Sequence, residues 1–508
     1  MTTGLVIWVS LFFLRQTNLA ASDLGRHIKN GEIIVTTGQV FQNNLYSYTA
    51  PDFHAPNHHW LFGVIVYLIQ AAAGFNGLTL MGALLYTGAV AIAWKVAVKK
   101  GSLVSAAIAV LMLLPLLADR TETRPEAFSV FFFMLLYWLF DQLLSEPVKL
   151  KRLWWLVGLA TLVMVAWINI HIFFVLAGVL GGAAVIQAVV NKQWLALKAI
   201  ALVGLGMITG VWVNPLGLEL ILYPLQIFSN YGYRVAENQG LWFFLFHFTR
   251  PIHWYVLIVA VACLPLIGYY LWKNWKSSLY QLLVALVFLG FIFKLIRMEN
   301  VLALTLIPLV AASLDFIWQR HHQLFARLLK KTWVLSLASL GGFGLVAVLL
   351  YSRLMLPFTP DFGVGLLPGY DTSIQAVRSL PLNGPIFNNF DSGSFLIYSL
   401  YPNSKVFIDN RAEAYPSDFV QNIYVAAQKD EAIWEKVDQE YNFHFIIYYY
   451  HDMTNWGQEF LVKRYQDRRW VPIYVDPYIL IFVKDMPENQ ELIKKYRLPE
   501  GLFSVSSP

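Results

Sequence analysis

Charge is the scarcest ingredient of this sequence. Asp, Glu, Lys and Arg make up 13% of its 508 residues and hydrophobic residues 57%, whereas a soluble domain carries about 25% charged residues. That shortage excludes an ordinary soluble protein and identifies an integral membrane protein. Cysteine is nearly missing too. Cys263 is the single copy and falls inside an apolar run, so neither an internal disulfide nor a cysteine-based metal cluster can form. A basic n-region is absent from the start, which runs from the apolar stretch Leu5 to Leu14 straight into charge. This is not the pattern of a cleavable signal peptide, and it reads as a short first span with Arg15 snorkelling to the outer surface. The net charge of +6 is no nucleic-acid signal, because most basic residues of the membrane half sit in short loops, where they report topology.

What is present is a series of apolar runs. Those near 78–98, 102–118, 126–144, 153–168, 171–190, 198–213, 253–272, 278–294, 299–318 and 334–353 approach the roughly 20 residues that a helix needs to cross the hydrocarbon. The segment 60–75, "WLFGVIVYLIQAAAGF", decides the topology. If it crosses, the loops with Lys95, Lys99 and Lys100, with Lys149, Lys151 and Arg152, and with Arg320, Arg327, Lys330 and Lys331 all face outward, against the positive-inside rule. If it is an interfacial or re-entrant helix, those loops face the cytoplasm. The second reading gives an α-helical polytopic membrane protein of about eleven spans plus an interfacial helix. Residues 1–354 form the membrane domain, and 355–508 a soluble α/β domain on the outer face, in the cell (inner) membrane.

With that topology, the polar residues that topology does not need collect on the outer face. They are the loop "AASDLGRHIKNGEII" (20–34), "HAPNHHW" (54–60), "ADRTETRPE" (118–126), "WINIHI" (167–172), "WVNPLG" (212–217), "YRVAENQ" (233–239) and "KLIRMEN" (294–300). Arginine suits phosphate because its planar fork donates two hydrogen bonds at once. Arg297, with Arg120 and Arg124, is therefore a candidate rim around an anionic headgroup. Arg234 and Lys294 are further phosphate-binding candidates, and ordinary snorkelling is the alternative for each. Glu122 lies between two arginines, where a carboxylate stays ionised. Asp23 is the candidate base, since a carboxylate at a span end can be poised to take a proton from a hydroxyl; the alternative is that Ser22 or Asp23 caps a short helix. His58, His59, Asn169, His171, Asn214 and Glu237 are candidate acceptor- or sugar-binding residues. The histidine spacings match no standard zinc pattern, which leaves metal dependence undetermined and a divalent cation open.

Beyond residue 355, "GPIFNNF", "SKVFIDN", "FHFIIYYY", "WVPIYV" and "YILIFVK" read as strands, with helical patterns near 392–400, 416–440 and 453–466. The expected layer is mostly parallel, closed by an antiparallel pair around Asp476-Pro477. Asn388, Asn389, Asp391, Asp409, Asn410 and Arg411 fall at its strand ends, where open α/β sheets bind ligands. Turn formation explains the same Asn and Asp residues.

In the order of these features the chain resembles the C-type (GT-C) membrane glycosyltransferases, and more closely a widespread bacterial group of them. That group's habits include "DLWWHL..G..I", here "SDLGRHIKNGEII"; "FSYT....W..HEWL", here "YSYTAPDFHAPNHHWLF"; and "RP..F", here "TRPEAFSV". They also include "N.H", here "NIH"; "NP.G...Y.YP", here "NPLGLELILYP"; and "FIDGR...Y", here "VFIDNRAEAY". The resemblance runs over nearly the whole chain. It implies transfer of a sugar from a polyprenyl-phosphate donor, with inversion, to a glycan or protein acceptor at the outer face of the membrane. It further implies Asp23 as base and Glu122 as the second acid. Two departures stand out: Gly25-Arg26 replaces the aromatic pair after Asp23-Leu24, and His59 replaces the acid of "HEWL". The competing readings are a transporter or flippase of a lipid-linked saccharide, and a non-catalytic glycan-binding scaffold.

Overall fold

The structure, a computed structural model, describes residues 2–20, 22–226, 231–233, 238–247, 251–328, 361–499 and 501–503. It divides into two compact units, and neither is contiguous in sequence. A helical unit comprises Met1–Gln16, Leu78–Leu225 and Val235–Val364, and a sheet unit comprises Thr17–Gly77, Gln226–Arg234 and Gly365–Pro508. The expected boundary at 354/355, the expected span 334–353 and the candidates Arg234 and Glu237 lie outside the described residues.

Among the described residues, seven helices are long and apolar enough to cross a membrane. They are Trp60–Lys100, Pro125–Ser145, Leu150–Ile170, Ile172–Val190, Trp194–Val211, Ile252–Asn274 and Ile296–Gln323. Leu103–Ala118 and Leu279–Phe291 are shorter apolar helices. The chain is a multi-pass membrane protein. Thr2–Leu11, the expected first span, is a helix of 10 residues, about 15 Å long. Arg15 after it does not simply snorkel: it pairs with Asp361 at 3.2 Å and donates to the Ala118 carbonyl at 3.2 Å. Trp60–Lys100 is interrupted at Gly74, whose φ of 62° only glycine adopts freely. The segment 60–75 therefore ends at a backbone break.

Within the helical unit, Glu299–Leu328 packs against Leu103–Ala118, and its face from Val301 to Ala312 is fully enclosed. Leu84, Leu162, Leu195 and Trp272 point outward and are exposed. An apolar exterior around a packed interior is the arrangement a bilayer requires.

In the sheet unit four strands run in the order β1-β2-β4-β3, with β1 Ile386–Asn388, β2 Phe445–Tyr449, β3 Trp470–Val475 and β4 Ile479–Lys484. Only β1 and β2 are parallel; β4 is antiparallel to both of its neighbours. The expected mostly parallel layer is thus corrected to a mixed one. Because β3 returns through the tight turn at Asp476, β4 can only enter beside β2 in the reverse direction. Both faces are covered: Phe445, Ile447, Ile479 and Ile481 enter one core, and Ile446, Tyr448, Leu480 and Phe482 the other. Burial on both sides is why these strands read as continuous apolar runs rather than alternating ones. The first core also takes in Leu19, Ala20 and Tyr46, so the segment following the first apolar stretch is part of this unit.

"SKVFIDN" is not a strand. The Asn388 side chain at the end of β1 occupies its place, accepting from Phe407 N–H at 2.9 Å and donating to the Ile408 carbonyl at 2.8 Å. One carboxamide thus satisfies the backbone that a ladder would have paired.

Candidate functional site

The structure gathers the sequence candidates into two groups, one in each unit. In the helical unit a cleft of about 480 Å³, counted to its open mouth, is lined by Tyr86, Arg120, Glu122, Arg124, Glu126 and Arg297, with Asn300 and Ser129. Sequence and geometry agree on how the side chains arrive there. Pro125 opens helix Pro125–Ser145 directly after Arg124, which pins "DRTETR" to that helix end. Arg297 sits in the single turn before Glu299–Leu328. Asn300 then ties the first segment down by donating to the Arg120 carbonyl at 2.7 Å.

Two guanidinium groups of this cleft are paired internally: Arg297 with Glu126 at 3.4 Å and Arg124 with Glu122 at 3.7 Å. Arg124 and Arg297 are mostly enclosed, whereas the Glu122 side chain is 52% exposed. Ser129, on the cleft wall, shares a hydrogen bond of 2.7 Å with His171 Nδ1 and accepts from the Trp167 indole at 2.7 Å. His171 is therefore behind the wall. Lys294 is exposed and does not line the cleft. Asn169 donates to the carbonyls of Val165 and Val213 at 2.7 and 2.8 Å. Asn214 is used within its own turn, donating to Val211 O at 3.0 Å and accepting from Leu216 N–H at 2.9 Å. Both asparagines thus serve to join helix ends.

In the sheet unit Asp23 stands at the N-cap position of helix Leu24–Thr37, yet its side chain makes no capping hydrogen bond. Its carboxylate instead accepts from the Asn410 carboxamide. It lies 4.0 Å from the Arg26 guanidinium, and its side chain is 40% exposed while Arg26 is buried. The helix is set by Gly25, where a Cβ would lie 2.7 Å from the Ser394 carbonyl, and by Arg26 N–H donating to Ser394 Oγ at 2.9 Å. That close approach is what Gly25 supplies in place of an aromatic residue. Tyr46 donates to Asn30 at 2.5 Å, and Asn30 to Asn57 at 3.4 Å. The His58 and His59 rings lie tilted at 54° with centroids 4.0 Å apart, and the His27 ring is 5.4 Å from His59, edge to face.

The ligand candidates at the strand ends are absorbed into the framework. Asn389 donates to Asp452 and the Tyr449 carbonyl at 3.0 Å and accepts from Tyr449 N–H at 3.0 Å. Asp409 and Arg411 form a buried two-pronged pair at 2.9 and 2.7 Å, and Arg411 also reaches Asn44 at 2.8 Å. Burial acts to raise the Asp409 carboxyl, but the Arg411 charge outweighs it and holds Asp409 below its ordinary value. Of these candidates Asp391 and Asn410 remain half-buried beside this frame. Asn410, expected as one of the strand-end ligand candidates, is instead the residue that reaches Asp23. Its signal was present in "VFIDNRAEAY", where the quoted pattern has glycine at position 410.

A cation at either group would need several acidic or imidazole ligands. Among the described residues the one set of three such donor atoms within 4.8 Å is Glu431, Glu435 and Asp467. Arg464 and Arg469 already pair with that set. Neither Asp23 nor Glu122 belongs to it.

No protein-family model matches the chain, and no curated protein does. Solved structures do. An oligosaccharyltransferase AglB from Archaeoglobus fulgidus, solved with an inhibitory peptide and a dolichol-phosphate, superposes with a TM-score of 0.55 at 10% identity, covering 96% of this chain and 75% of that one. ArnT from Cupriavidus metallidurans gives a TM-score of 0.56 at 13% identity, covering 95% and 96%. A second structure of the Archaeoglobus fulgidus oligosaccharyltransferase, with zinc and sulfate, gives 0.55 at 11%, covering 96% and 74%. The chain has the fold of the GT-C membrane glycosyltransferases.

Proposed function

We propose that this protein takes a sugar from a polyprenyl-phosphate carrier at the outer face of the cell membrane and passes it, with inversion, to a glycan or protein acceptor. The observation that carries the reading is the cleft where Arg120, Arg124 and Arg297 converge at span ends. Fixed guanidinium forks at span ends suit a lipid-borne phosphate. Their internal partners Glu122 and Glu126 keep them placed until an anion arrives. As the bond between the sugar carbon and the phosphate oxygen breaks, charge grows on the leaving phosphate, and arginines already in place stabilise it.

The acceptor hydroxyl oxygen forms the new bond to the sugar carbon from the opposite side. The bonding pair of the broken bond departs with the polyprenyl phosphate, and the hydroxyl proton passes to Asp23. Asp23 suits this work because its carboxylate is accessible and not spent on capping its helix. Glu122, exposed at the cleft, is the second acid and orients a sugar hydroxyl.

The test is transfer of radiolabelled sugar from polyprenyl-phosphate glucose, mannose and galactose in membranes carrying wild type or Asp23→Asn. Transfer by wild type with none by Asp23→Asn supports both the enzyme and its base. Equal transfer by both removes Asp23 from the mechanism. Donor binding with no transfer by wild type replaces the enzyme by a carrier or scaffold.

A further inference from the structure

The Asp23 carboxylate is held by a residue nearly four hundred positions away in the chain. Asn410 donates its carboxamide N–H to Asp23 Oδ1, while its own Oδ1 is enclosed and makes no hydrogen bond. We propose that Asn410 is the positioning residue of the Asp23 base, serving both of its protonation states; this rests on the reading of Asp23 given above.

The chemistry favours asparagine. A general base alternates between a carboxylate, which only accepts hydrogen bonds, and a carboxylic acid, which also donates one. A carboxamide offers both partners on one planar group. With Asp23 ionised, the amide N–H faces it, as observed. Once Asp23 has taken the acceptor's proton, a half-turn of the Asn410 amide brings the carbonyl oxygen round to accept that proton's hydrogen bond. The buried, unused Oδ1 is what such a turn requires. Alanine supplies neither partner, and aspartate would set a like charge against the base.

Both sides of this contact are fixed. Asp409 and Arg411, which flank Asn410, are locked to one another, and Arg411 is locked to Asn44. Asp409 N–H donates to the Tyr415 hydroxyl at 2.9 Å. Upstream, Asn388 clamps Phe407 and Ile408. On the other side, Arg26 N–H on Ser394 Oγ seats the helix that begins beside Asp23. The loop 407–411 therefore acts as a rigid bracket with one side chain turned to the base. Rigid support of this kind separates a poised group from one that merely sits at a surface.

The test uses the full-length protein and two readouts. In the first, carboxyl groups of wild type and Asn410→Ala are labelled at pH 6 with a water-soluble carbodiimide and glycine ethyl ester, and the peptides are quantified by mass spectrometry. Loss of one hydrogen bond to a charged group predicts that Asp23 labels at least about tenfold faster in the variant. Labelling of Asp52 should stay unchanged, which excludes general loosening. Equal labelling of Asp23 in both proteins overturns the proposal whether or not the enzyme is active.

The second readout is transfer from the radiolabelled donors. Asn410→Ala should lower kcat about tenfold with KM for the donor held. Asn410→Ala added to Asp23→Asn should cost nothing further, as expected for two residues acting as one unit. Additive losses overturn the positioning role alone. Full transfer by Asp23→Asn overturns the base assignment, with the labelling result still reporting on the contact.

Discussion

Replacing Arg411 by methionine tests the bracket most directly. Asp409 is completely buried and Arg411 nearly so, and the guanidinium supplies two of the bonds to the carboxylate at 2.9 and 2.7 Å. Arg411→Met leaves Asp409 with the Arg411-position backbone N–H and the Tyr415 hydroxyl at 3.1 Å each. Breaking a buried pair on one side costs about 3–5 kcal/mol, because a desolvated charge is left behind. For a cooperative unit of 150–250 residues each kcal/mol moves the midpoint by about 2–4 °C, so the expected loss is roughly 6–20 °C. Asp409→Asn with Arg411→Met removes the stranded charge and should recover more than half of it. The sign of the pH dependence is a further constraint. In wild type the Asp409 carboxyl is lowered below its ordinary value near 3.8, so its contribution is complete above that value and fades as pH falls through the folded one. In Arg411→Met the largest opposing charge is gone, so Asp409 rises relative to wild type although Arg26 and the Tyr415 hydrogen bond still act against burial; the deficit is then largest at pH 7 and shrinks as the solution is acidified towards pH 4. Thermal unfolding of the purified protein, followed by tryptophan fluorescence at several pH values, reads all of this. A single variant within 2 °C of wild type, or a double variant no better than the single one, refutes the reasoning.

Three further outcomes follow from the same geometry. Arg297→Ala should weaken capture of a polyprenyl-phosphate analogue by about 1.5–3 kcal/mol, or roughly 10- to 150-fold, measured by equilibrium binding in nanodiscs; unchanged affinity removes Arg297 from the clamp. Glu126→Gln should free Arg297 from its partner at 3.4 Å and leave affinity equal or higher, so a large loss on the same measurement would make Glu126 itself a ligand. Gly25→Ala puts a Cβ 2.7 Å from the Ser394 carbonyl and should cost about 1–3 kcal/mol through overpacking, read as a lowered thermal midpoint.

How much could be read beforehand depended on whether the signal was local. The membrane class and most spans follow from runs of apolar residues, whose meaning does not depend on partners. Four of the five expected strands are present for a similar reason, since burial on both faces leaves an unbroken apolar run. The fifth failed because Asn388, twenty residues away, takes over its backbone hydrogen bonds, and no local pattern records that substitution. The arginine cleft was legible because Arg120, Arg124 and Arg297 lie at span ends, where topology already limits what an arginine can do. Asp409 and Arg411 misled in the opposite direction. Their residue types suit sugar binding, but a carboxylate and a guanidinium two positions apart can also satisfy each other, and burial favoured the pair over the ligand. The residue between them carried the same two readings, a sugar ligand or a turn former. Its contact with Asp23 spans 387 positions. Only the fold, by bringing the first loop and the C-terminal strands into one unit, gives that side chain a partner.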